Sequence, residues 1–221
     1  MTEFMILITI ILLMLISQGL ITLTYSKYSK TDASLLHTGK EIVESMLSSN
    51  CITDVRLGYT AGELSDHYNS KRKIINLSKN SCNTNSVAAI AVAAHETGHA
   101  IQDHTGYLML RIRKLLGPIT SLASKFVWIV IFIGVVLESL DLISLGLVLM
   151  GITIVFQLVT LPVEFDASRR AISYLSTVGY DEETMDGIKK MLRAAAFTYV
   201  ASTLAALLQM IRLILAFSRR D

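Results

Sequence analysis

The run Ser86-Val-Ala-Ala-Ile-Ala-Val-Ala-Ala94 leads without a break into His95-Glu96-Thr97-Gly98-His99. Small, helix-favouring residues without proline predict one continuous helix through both segments, with Ser86 or Asn85 as its N-cap. On a helix, residues four apart share a face, so His95 and His99 point the same way. Two imidazoles one turn apart can hold a zinc ion, and the carboxylate between them reaches a water bound to that ion. The spacing H-E-x-x-H is therefore a candidate metal centre, with His95 and His99 as ligands, Zn²⁺ as cofactor and Glu96 as general base. The small residues leading into it suit close burial against neighbouring elements.

The rest of the chain supplies a very different kind of apolar sequence. Of its 221 residues, 52% are hydrophobic and only 17% charged. Residues 4–25 and 142–162 carry no charge, 115–137 carries only Lys125, and 194–217 only Arg212. Each is long enough to cross a bilayer at about 1.5 Å per helical residue. The first three are expected to span; the depth of the fourth is left open. Residues 4–25 are expected to be a retained anchor and not a signal peptide, since Glu3 replaces a basic leader and no small-x-small site follows. Cys51 and Cys82 match no metal or redox spacing. A net charge of +2 gives no case for nucleic-acid binding.

Two polar regions lie between the apolar ones, 26–114 and 163–193. In the first, Leu35, Leu36, Ile42, Val43, Met46 and Leu47 recur at helical spacing, which predicts an amphipathic helix over Thr31 to Asn50. Asp54 to Leu57 alternates as a short strand. Glu63 to Tyr68 and Lys73 to Ser78 flank the turn-like Asn69-Ser-Lys-Arg72 and predict a small hairpin, whose edge could take a substrate as an added strand. Residues 115–162 read as a transmembrane hairpin linked by Glu138-Ser-Leu-Asp141. Lys27, Lys30, Arg111, Arg113, Lys114, Arg169 and Arg170 flank the apolar segments on one side, which places both polar regions in the cytoplasm. Arg219 and Arg220 oppose this if the last segment crosses. Thr198, Ser202, Ala205, Gln209 and Arg212 form one stripe, as expected of a helix face packed on protein.

A catalytic zinc takes three protein ligands and keeps one position open. Asp103 continues the histidine stripe but lies about 12 Å along the axis from His95, which suits a surface or supporting group better than a ligand. His104 points off the stripe, and His67 on the hairpin stays possible. Glu164 is the best candidate: it follows Leu161-Pro162, where the chain returns from the apolar hairpin, and His-His-Glu is a catalytic zinc set. Asp166 is expected to face elsewhere and pair with Arg170 at the surface. His67, Tyr199 and Arg212 are candidates for stabilising an oxyanion. Arg212 stands inside an apolar helix, where an arginine faces a partner or cavity, or snorkels.

Four blocks of sequence together resemble a known family: Gly62-Glu-Leu-Ser-Asp-His-Tyr68, Ile75-Asn-Leu-Ser78, Ala93-Ala-His-Glu-Thr-Gly-His-Ala-Ile-Gln102 and Leu161-Pro-Val-Glu-Phe-Asp-Ala-Ser-Arg-Arg-Ala171. They look like the neutral zinc membrane metallopeptidases, the YugP-like membrane proteases of bacteria. The likeness covers nearly the whole chain and implies a reaction type without a substrate. A more distant likeness is to HtpX-type and CAAX prenyl-protein proteases, which pair H-E-x-x-H with E-x-x-A-D on a later helix. Here Glu164 and Ala167 fit, but Ser168 replaces the aspartate that braces a zinc histidine in those relatives. Asp166, Asp103 or a backbone carbonyl would then have to orient the imidazole, and Ser168 itself stays a candidate supporting residue by its place in the pattern.

The expectation is a mainly α, multi-pass helical membrane protein with a zincin-like cytoplasmic metalloprotease part containing a small hairpin or sheet. Its partners would be the lipid bilayer and a peptide or membrane-protein substrate. Three other readings compete. A structural zinc site would need Cys51 and Cys82. A transporter would be marked by intramembrane charge, of which Lys125 and Arg212 are all there is. A catalytically inactive zinc-binding scaffold would leave Glu96 without a use.

Overall fold

Seven helices and three strands make up the computed structural model, which describes residues 2–217. In chain order they are α1 (Thr2–Tyr28), α2 (Gly39–Ser49), β1 (Arg56–Tyr59), β2 (His67–Asn69), β3 (Ile74–Leu77), α3 (Lys79–Asn83), α4 (Val87–His104), α5 (Leu108–Val136), α6 (Leu140–Val178) and α7 (Glu182–Phe217). Arg219 and Arg220 lie outside the described residues. The protein is mainly helical with one small sheet. Helices α1, α5, α6 and α7 are long and apolar enough to cross a membrane. The chain divides into two compact units: residues 1–18, 111–162 and 197–221, and residues 19–110 and 163–196.

The second unit is organised around α4. Ser86 caps it by accepting from the Ala89 N–H at 3.2 Å. Nearly every residue from Val87 to Gln102 is buried. Alanines and Gly98 let neighbours approach from several sides, so α4 is enclosed where an ordinary amphipathic helix would keep one face in water. Helix α2 packs on it through Ile42, Val43, Met46 and Leu47. That helix is shorter than its periodicity predicts. It starts at Gly39 because Thr38 and Glu41 form a reciprocal capping box. Residues upstream of it pair instead with the entrance to α4: Val87 N–H donates to Thr31 O and Ala33 N–H to Asn85 O. Leu36, counted on the predicted apolar face, is 85% exposed.

The sheet has the order β1-β3-β2, with β1 parallel and β2 antiparallel to β3. The predicted hairpin is present but short, and the predicted strand at Asp54 begins two residues later and joins the same sheet. Asn69 closes the hairpin turn, its Oδ1 accepting from the N–H groups of Lys71 and Arg72.

The polar region 163–193 is not a separate element. It is the second half of α6, a turn at Gly179, and the first turns of α7. Gly179 ends α6 at φ 95°, the left-handed conformation that stops helices. At 39 residues α6 is about 58 Å long, nearly twice the ~30 Å hydrocarbon core, so a helix that crosses along its apolar half must project well beyond it.

In the first unit, α5 and α6 form an antiparallel hairpin. A Cβ at Gly146 would stand 2.3 Å from Ile131 Cγ1, so the glycine sets how closely these helices meet. Val127, Ile131, Met150 and Ile154 pack with Leu213 of α7. Large apolar side chains on the other faces, such as Phe132, Val148 and Ile214, are exposed.

Candidate metal centre

His95 and His99 stand one turn apart on α4, with ring centroids 4.8 Å apart and planes at 81°. Across from them is Glu164 on α6. The two helices meet at Gly98 and Ala167: a Cβ on Gly98 would lie 2.6 Å from the Ala167 carbonyl oxygen. No other residue allows that approach, and it brings Glu164 one turn away from Ala167 level with the histidines. His95 Nε2 and His99 Nε2 lie 3.2 and 3.5 Å from Glu164 Oε2. Glu164 is 2% exposed.

These separations fit a metal. Zinc bonds of about 2.0–2.2 Å at tetrahedral angles put ligand atoms roughly 3.3–3.6 Å apart. The ligand atoms of His95, His99 and Glu164 all lie within 4.8 Å of one another, and among the described residues this is the group of that kind. Two imidazoles and one carboxylate are a catalytic zinc donor set that leaves a fourth position open.

The outer nitrogens are also held. His99 Nδ1 is 3.0 Å from Gln102 Oε1, and Gln102 Nε2 donates to Val163 O at 2.7 Å and to Asp166 Oδ2 at 3.0 Å. With both acceptors on the amide nitrogen, Gln102 turns its oxygen to His99. Nδ1 of His99 must therefore carry a proton, which leaves Nε2, the nitrogen that meets Glu164, as the one able to bind a metal ion once it is deprotonated. His95 Nδ1 meets Ser168 Oγ at 3.1 Å. Ser168, the residue that departs from the distant relatives' aspartate, is thus itself the partner of an imidazole.

Glu96 is buried beside this cluster, and its Oε2 accepts from the Tyr68 N–H of β2 at 2.9 Å. Burial pushes its carboxyl above the usual range and the Glu164 charge adds to that, against the two imidazoles and the Tyr68 N–H. Its proton affinity is thereby raised above that of an ordinary carboxylate, the direction that suits a group which must take up a proton. The His99 imidazole is also shifted up: burial pulls it down, but the Glu164 bond and the charges of Glu96 and Glu164 outweigh that.

Three segments distant in sequence, at Tyr68, residues 95–102 and residues 163–168, thus converge on one largely buried site. The chain matches, over residues 3–218, the family described as "Putative neutral zinc metallopeptidase". The chain belongs to this family. Over 194 residues it is 39% identical to "Putative membrane protease YugP" of Bacillus subtilis (strain 168), a stretch that covers 87% of this chain and 86% of that protein. No solved structure matches it.

Asp103 holds the sheet to α4, its Oδ2 accepting from Tyr68 Oη at 2.8 Å and Lys73 Nζ at 3.0 Å. His67 is exposed on β2, with Nδ1 bonded to Ser65 O and Nε2 to Asn76 Nδ2. Tyr199 and Arg212 lie on α7 in the first unit. Asp166 departs from the expected surface position. It pairs with Arg170 as the spacing predicts, but it is 4% exposed and bonded to Gln102. Sequence reasoning missed Gln102 and Gly98. Gln102 had a signal, since it lies three and seven residues after His99 and His95 on one helical face. Gly98 had only its small size inside the motif.

Proposed function

We propose that this family member is a zinc-dependent endopeptidase of the membrane, with a zincin-like catalytic part formed by residues 26–114 and 163–193 on the cytoplasmic side. The observation that carries it is the convergence of His95 Nε2, His99 Nε2 and Glu164 Oε2 beside the buried Glu96. The basic residues flanking the apolar segments support the orientation.

His95, His99 and Glu164 would hold the zinc. A zinc ion so held lowers the pKa of its water and polarises a carbonyl oxygen. Glu96 takes a proton at its carboxylate and passes it to the leaving amine, a task suited to a carboxyl whose proton affinity burial has raised. The Tyr68 N–H holds one Glu96 oxygen in place. Gln102 keeps the His99 imidazole turned so that its Nε2 stays available, and Ser168 supports the outer nitrogen of His95. Tyr68 aims its N–H away from β3 and toward Glu96, so the outer edge of β2 faces the reactive residues. An extended peptide added to that edge would lie across them. A peptide or a juxtamembrane segment of a membrane protein fits such a site.

The test is Glu96→Gln in the purified full-length chain. Zinc content should stay at about one equivalent, as for a mononuclear site, while peptide cleavage falls by roughly 10²–10⁴-fold. Undiminished cleavage by this variant would remove Glu96 from the reaction.

A further inference from the structure

The brace on His99 does not end at Gln102. Asp166 Oδ2, which accepts from Gln102, also accepts from Arg170 Nε at 2.7 Å, and Asp166 Oδ1 accepts from Arg169 Nη2. Asp166 is 4% exposed, whereas the side chains of Arg169 and Arg170 are 78% and 29% exposed. The arginines line a groove of about 490 Å³ with Met46, Ile101, Ser173 and Tyr174. A chain of three bonds therefore runs from this groove to an imidazole of the metal centre.

Each link depends on the one outside it. A buried carboxylate is unfavourable unless it is paired, and the guanidinium groups pair it. Arg170 acts on the same oxygen that receives Gln102. Without it, that oxygen is no longer fixed, and the amide nitrogen of Gln102 loses one of its two acceptors. The amide is then able to turn over and present N–H to His99 Nδ1. That favours the neutral imidazole with its proton on Nε2 and takes away the lone pair a metal ion would need. His95 lacks such a chain. Its partner is the Ser168 hydroxyl, which donates or accepts and so tolerates either tautomer.

We infer that Arg170 is a positioning residue of the metal centre, acting through Asp166 and Gln102 to keep the His99 tautomer that can bind a metal ion. The inference rests on reading His95, His99 and Glu164 as a zinc site.

The experiment measures zinc dissociation constants by chelator competition on the full-length chain in detergent, for wild type, Arg170→Gln, Gln102→Leu and the double variant. Outer partners of metal-binding histidines change affinity by about 10–100-fold. Arg170→Gln should weaken zinc by about tenfold, and Arg170→Lys should recover part of that. In the Gln102→Leu background Arg170→Gln should add nothing, because the chain is already cut. Should Gln102→Leu fail to fold, Asp166→Asn serves as the background, with the same expectation. The visible spectrum of the cobalt(II)-substituted protein should shift in Arg170→Gln. Wild-type affinity in Arg170→Gln, or an equal loss in both backgrounds, overturns the inference while leaving the zinc site standing. A wild-type chain that binds no zinc overturns both.

Discussion

Helix α4 and the first half of α6 are both apolar, both helical and both free of acidic or basic side chains for many residues, yet they end in opposite surroundings. From Val87 to Ala94, α4 carries mostly alanine and is almost wholly enclosed by protein. From Leu142 to Pro162, α6 carries leucine, valine and isoleucine, and Leu145, Val148, Val155 and Leu158 are exposed. Hydrophobicity alone does not distinguish them. Side-chain size does: small residues let backbones and bulky partners close around a helix, whereas large ones present the surface that lipid tails cover. One helix is thereby fit to hold polar chemistry in a dry interior and the other to cross a bilayer.

Substitutions that exchange these characters should break the comparison. The largest effect is expected at Gly98. Gly98→Val drives side-chain atoms into the Ala167 carbonyl and should cost about 3 kcal/mol or more, with loss of bound zinc as Glu164 is pushed away. Thermal unfolding and metal content would report it. Next is Ala91→Leu, at a fully buried position of α4, where overpacking should cost about 1–3 kcal/mol. The matching change on α6, Val148→Leu, should leave the melting temperature unchanged within error, since that position is open.

These contrasts mark what was legible in sequence. The four apolar helices, the cap at Ser86 and the candidacy of Glu164 all leave local traces: uninterrupted hydropathy, a hydroxyl before a helix, a carboxylate just past an apolar run; the start of α2 at Thr38 is not legible, because the apolar periodicity continues upstream of it. The length of α6 left no such trace, because Pro162 reads as a stop while the helix runs on past it. In sequence Ser168 is a candidate supporting residue with no partner assigned, because its sequence neighbours show no imidazole; only the meeting of α6 with α4 shows His95 there. Gln102 and Asp166 belong to a network whose members are 64 residues apart, a relation that periodicity does not encode.

Protons sharpen the comparison further. The His99 imidazole is shifted above its usual value in the metal-free chain, and a proton on it excludes a metal. The protonated form is favoured in the fold, so competition sets in at a higher pH than for an ordinary histidine. Zinc affinity should fall by about tenfold for each pH unit below that point, if one proton is displaced, as read by chelator titration across pH. Residues 142–162 contain no titratable group, so their insertion should be flat over the same range. A small effect of opposite sign is expected at Gly151, where a Cβ meets nothing within 4 Å. Gly151→Ala should stabilise by about 0.5–1 kcal/mol, in contrast to the cost at Gly98.

Glu164 stands two residues beyond Pro162 on the same unbroken helix that carries the apolar stretch. During synthesis the two imidazoles emerge some seventy residues before it. The carboxylate arrives only when the strand of polypeptide that must be threaded into lipid has been made. A nascent copy stalled before that moment has two members of the cluster and lacks the third, so the candidate metal centre is completed only once the apolar stretch has been made.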